Sequence, residues 1–71
     1  MLTATQITAV ETLAQATRDE RFFCDRYVDG LSSEHDYTIA MGSVDIARQN
    51  CIDLHIAERD LPALMEFYHG S

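Results

Sequence analysis

The chain has 71 residues, 46% of them hydrophobic, which excludes a disordered tail and leaves material for one small domain with a marginal core. Twelve Asp and Glu stand against five arginines and no lysine, and the net charge of −7 excludes a phosphate-binding face for nucleic acid and attraction to anionic membranes. No apolar run nears the ~20 residues needed to cross a bilayer, and the start of the chain lacks the basic and apolar segments of an export signal, so a cytoplasmic protein is expected.

A first helix is expected over 4–28. Thr3 and Gln6 have the spacing of a capping box, and Leu2 and Ile7 occupy the staple positions around it. Ile7, Val10, Leu13, Ala14 and Thr17 make a narrow inner stripe. The apolar content drops out around Arg18 to Arg21 and resumes with Phe22, Phe23, Cys24, Tyr27 and Val28. The pattern fits either one long helix or two with a bend near Arg18 to Glu20. Gly30 suits a left-handed C-cap, with Leu31 folding back onto the last turn.

A short helix is expected over 34–41, opened by Ser33 and Asp36, with Tyr37, Ala40 and Met41 inward and Gly42 ending it. A third is expected over 44–57, capped by Ser43, with Val44, Ala47, Cys51 and Leu54 as its stripe. Asp60 reads as the next N-cap, Pro62 fits the first turn, and a last helix over 61–69 buries Leu61, Leu64, Met65 and Tyr68, with Gly70 as its C-cap. The fold class is therefore all-α, a small bundle of three to five helices. The alternative is α+β, because 37–41 and 51–56 also alternate apolar and polar with the period of a strand.

The chemistry-bearing residues form no catalytic signature. There is no nucleophile elbow, no phosphate-cradling glycine loop and no dinucleotide fingerprint, so a non-enzymatic protein without cofactor is expected. Cys51 and His55, four apart, could supply half of a zinc site if Cys24, His35 or His69 completed it, but no metal motif supports that, and no metal ligands are assigned. Cys24 and Cys51 could pair as a staple. Without an export signal, two reduced thiols are the better expectation.

What remains is surface. Phe22 and Phe23 are neighbours ~100° apart on a helix, as are Phe67 and Tyr68, so one of each pair tends to face outward. Phe22, Phe23 and Tyr27 are the candidate apolar anchors of an interface, ringed by Asp19, Glu20, Asp25 and Asp29. This composition suits a small accessory, adaptor or inhibitor protein of bacterial or bacteriophage type that binds a larger protein machine, with a basic partner surface or a homodimer as the counterpart. A second reading takes Asp19, Glu20, Asp25, Asp29, Glu34 and Asp36 as an acidic patch that imitates the phosphates of a nucleic acid. A third is a metal-stapled or redox-responsive domain.

Overall fold

The computed structural model describes residues 2–31 and 33–68. Among them all regular structure is helical: α1 (Ala4–Val28), α2 (Glu34–Asp53), a 3-10 turn at Glu58–Asp60, and α3 (Leu61–Phe67). The fold is all-α. The segments that alternate like strands are helix at 37–41, and helix followed by turn at 51–56.

α1 starts as its cap residues dictate. The Gln6 N–H donates to Thr3 Oγ1 at 3.1 Å, and the Thr3 N–H donates to Gln6 Oε1 at 2.9 Å. The helix then runs unbroken through Arg18 to Glu20, because nothing there removes a donor or demands a positive φ. It ends at Gly30, whose φ of 77° is the left-handed conformation that lacks a penalty only for glycine. The Gly30 N–H donates to the Tyr27 carbonyl and the Leu31 N–H to that of Arg26, the paired bonds of a Schellman ending. Leu31 remains 65% exposed, so its contact with the last turn buries little.

α2 corrects the reading of 34–41 and 44–57 as separate helices. It continues through Gly42 and Ser43 for 20 residues and stops at Asp53, short of 57. The reason is phase. Tyr37, Ala40, Val44, Ala47 and Cys51 follow at three, four, three and four residues, one uninterrupted stripe against α1. That packing outweighs the ~1 kcal/mol that glycine costs in a helix interior. Ser43 is not a cap: its hydroxyl donates back to the Ile39 carbonyl at 3.1 Å. Ser33 does cap α2, accepting from the Asp36 N–H.

The end of α2 repeats the Schellman pattern without a glycine. His55 N–H donates to the Ile52 carbonyl and Ile56 N–H to that of Cys51, and His55 itself takes φ 67°. Ile56 is buried beside Cys51, and this contact holds the turn despite a left-handed non-glycine residue. Asp60 is likewise no side-chain cap. It lies in helical conformation, and the 3-10 turn leads straight into α3, with Pro62 in the first turn as expected. α3 ends at Phe67. The expected helix positions at His69 and Gly70 lie outside the described residues.

α1 and α2 form an antiparallel hairpin. At one end Gln6 Nε2 donates to the Leu54 carbonyl at 2.9 Å, and at the other the Tyr27 and Tyr37 rings stack at 5.7 Å. Between them lies a core of mostly small side chains: Ala9, Val10, Leu13, Val44, Ala47 and Cys51, closed by Ile56 and Leu61. α3 docks across α1 through Leu61 and Met65, with the Met65 sulfur 3.9 Å from Thr17 Oγ1. Its seven residues span about 10 Å, against about 37 Å for α1. α3 therefore packs against the middle of α1, between Leu13 and Arg21, and leaves the Tyr27–Tyr37 end of the hairpin uncovered. The molecule measures 42 × 21 × 18 Å, and its radius of gyration of 12.9 Å exceeds the ~11 Å of a compact chain this long. No helix among the described residues is long and apolar enough to cross a membrane.

Two substitutions test this backbone. A Cβ at Gly42 meets nothing within 4 Å, so Gly42→Ala should raise stability by about 0.5–1 kcal/mol. A break at 42 would reverse the sign. His55→Gly should relieve the left-handed strain and stabilise by about 1 kcal/mol. Both are read in urea as a higher midpoint at unchanged slope.

Candidate interaction surface

The hairpin has two long faces. α3 lies on one of them. On the other, the groove between α1 and α2 runs uncovered from Thr5 and Leu54 to Phe23 and Asp36. Its widest part is an open hollow of about 610 Å³. Along α1 the groove extends from Thr5 to Phe23, about 27 Å. We refer to it as the trough.

The trough's floor is apolar, with Ala16 and Phe23 from α1 facing Ile39, Ala40, Ile46 and Ala47 from α2. Ile39 and Ile46 are seven residues apart, hence two turns along one face, and are 55% and 74% exposed. Hydroxyl residues also line it, yet less polarity reaches solvent than the sequence implies. Thr12 Oγ1 donates to the Thr8 carbonyl at 2.9 Å and Ser43 Oγ to that of Ile39, so both donors are satisfied within their own helices.

The trough's ionisable lining is of one sign. Glu11, Asp19 and Asp36 border the wide part, and Asp53 borders the part beside Ile46. Two of these carboxylates have neutral partners: Gln15 Nε2 donates to Asp19 and Gln49 Nε2 to Asp53. None of the five arginines lines the trough. Arg18 and Arg21 border the cleft between α1 and α3, with Arg18 also donating to Oε1 of the trough residue Gln15 at 2.7 Å; Arg48 lies on the α3 side, Arg26 sits 5.3 Å above the Phe22 ring, and Arg59 is in the 3-10 turn.

The seven residues singled out in the sequence are dispersed. Asp19 and Phe23 share the trough wall. Glu20 lies on the opposite side, beside Arg48 and Glu58. Phe22 is 55% exposed, packed edge-on against Phe23 and under Arg26. Tyr27 stacks on Tyr37 and is partly an internal clasp. Asp25 is exposed, and Asp29 closes α1 as its C-cap residue. Sequence reasoning missed Ile39 and Ile46. Their signal was present, an apolar pair at heptad spacing, but it was hidden by the assumed break between them at Gly42.

The cysteines occupy different environments and neither is in a disulfide. Cys51 is fully buried, and burial pushes its thiol above the usual range. Cys24 is half-buried at the open end of the hairpin. Its hydrogen bond with Tyr37, followed by the charge of its thiolate, raises the Tyr37 hydroxyl. Cys51 and His55 do not share a helix face, since α2 ends between them and His55 points to solvent. Among the described residues no three His, Cys, Asp or Glu side chains gather in a metal-binding group.

No protein-family model matches this chain, and neither a curated protein nor a solved structure is similar to it at a significant level.

The thiols give a direct check. Cys24 should react with a thiol reagent in the native protein, and Cys51 only as fast as the protein unfolds. A thiol whose folded pKa is raised stabilises the fold below its unfolded pKa, and that contribution is lost as pH rises through the folded value. Stability should therefore fall above about pH 8.5. Cys51→Ala should flatten that fall and leave the residual slope due to Tyr37, whose shift has the same sign.

Proposed function

We propose that this chain is a non-enzymatic protein–protein interaction module, an accessory, adaptor or inhibitor that binds a larger protein. The observation that carries this reading is the contrast between core and surface. The core is built largely from alanine, valine and cysteine, while Phe22, Tyr27, Val28, Leu31, Ile39, Met41, Ile46 and Phe67 stay exposed. The accessible surface of 5050 Å² exceeds the ~4,500 Å² of a compact 8.0 kDa protein. An 8 kDa chain that leaves this much apolar area outside its own core has the composition of half an interface.

Phe22 and Tyr27 are accessible aromatic anchors at the end of the hairpin that α3 does not reach. Phe23 and Asp19 belong to the trough. The bacterial or bacteriophage source, the cytoplasmic location and the possible homodimer belong to the same proposal and rest on size, charge and exposed apolar area.

The test is affinity capture of the tagged protein from lysate of its own source organism. A stoichiometric partner should persist through a wash at about 1 M salt, where charges are screened beyond about 3 Å. Absence of any protein partner at both low and high salt would overturn the interaction reading.

A further inference from the structure

The trough specifies its occupant more closely than exposed apolar area alone would. Building on the interaction reading above, we propose that the trough receives an amphipathic α-helix of a partner protein, about 18 residues long, with a cationic polar face. Three features of the surface lead to this.

The first is shape. A groove between two antiparallel helices takes a third helix as its complement, and ~27 Å corresponds to about 18 helical residues. The second is the floor. Ile39 and Ile46 lie two turns apart and face Ala16 and Phe23, so an incoming helix meets apolar contacts at the i, i+3, i+4, i+7 spacing of its own stripe. The satisfied hydroxyls of Thr12 and Ser43 make few polar demands on what covers them.

The third is charge, which separates candidate occupants. Glu11, Asp19, Asp36 and Asp53 border the floor, and none of the chain's arginines does. A second copy laid trough to trough would bring two acidic rims together in a protein already at −7. A neutral apolar helix would leave the rim carboxylates partly desolvated without counter-charge. Lysines and arginines flanking an apolar stripe satisfy both floor and rim. Asp36 sits in the first turn of α2, where the helix dipole favours it, whereas Glu11, Asp19 and Asp53 have no such reason to share one face.

The probe is an 18-residue synthetic helix with Leu at i, i+3, i+4, i+7 and onward, and Lys or Arg elsewhere, titrated into the full-length protein by fluorescence anisotropy. Two isomers serve as controls, one with Glu in place of the cations and one with the leucines scrambled off their stripe. Saturable binding of the cationic helix alone is expected. Ile39→Asp with Ile46→Asp should weaken it at least tenfold, and both sites are exposed, so circular dichroism should show the fold intact. Asp19→Asn with Asp53→Asn should weaken it several-fold and flatten its salt dependence. Asp25→Asn with Asp29→Asn, an equal charge loss off the trough, should change it little.

Binding that ignores the isoleucine variant, or that falls equally with the off-trough pair, would show general attraction to an acidic protein and overturn the proposal. So would equal binding of the Glu helix, no binding, or a wild-type dimer that Ile46→Asp converts to monomer. A lysate partner still captured by the Ile39→Asp, Ile46→Asp variant would retire the trough and leave the interaction reading standing. Loss of every lysate partner with the wild-type protein would retire that reading first.

Discussion

Everything in this molecule depends on the seam between α1 and α2. Ala9, Ala40, Ala47 and Cys51 are small, so the two helices can approach closely along their stripes, and Val10, Leu13 and Val44 fill what space is left. Small residues give close contact but little buried apolar area per residue. The seam therefore fixes the hairpin's geometry while supplying a modest driving force, and α3 is needed to close the core over Leu13 and Val44. Beyond the reach of α3 the hairpin relies on Ala40, on the Tyr27–Tyr37 stack and on the hydrogen bond between Cys24 and Tyr37. The fold is graded along its long axis, from a three-helix core to a two-helix ribbon.

That gradient explains the surface. A seam made from small side chains leaves the larger ones no interior to occupy, and an α3 of seven residues cannot shelter them. Ile39, Ile46, Val28 and Phe22 thus remain outside for a reason set by the architecture. Their distribution around the hairpin is not even. The face opposite α3 combines apolar floor with a rim of carboxylates, while the arginines gather toward α3 and the ends. Segregation of charge on so small a body gives its two long faces different chemical character.

Much of the fold was legible in the residues, for physical reasons that can be named. Thr3 with Gln6 and Asp29-Gly30 are local devices whose hydrogen bonds involve neighbours only, so their outcome needs no tertiary knowledge. The inner stripes of α1 and α3 were likewise readable from spacing. Gly42 was misread because its local cost is real and its compensation is remote, lying in the packing of Ala40, Val44 and Ala47 against α1. The turn at His55 escaped notice because histidine signals the left-handed region far more weakly than glycine, and the buried Ile56 that follows it helps hold the conformation. The candidate site was less accessible still. Aromatic residues drew attention to the end of α1, whereas the trough arises from the alignment of two helices and from where α3 does not lie.

Gln6 carries a chemical restriction of its own. Its side-chain oxygen accepts from the Thr3 N–H that begins the first helix, and its side-chain nitrogen donates to the Leu54 carbonyl that ends the second. Glutamate is the common alternative at this place in a capping box, but when ionised it can only accept and has no donor to offer. It could complete the cap, yet it would set a carboxylate oxygen against a carbonyl oxygen 48 residues away in sequence. One amide thus writes the start of the chain and the end of the hairpin in the same group, so a substitution harmless to either feature alone breaks their agreement.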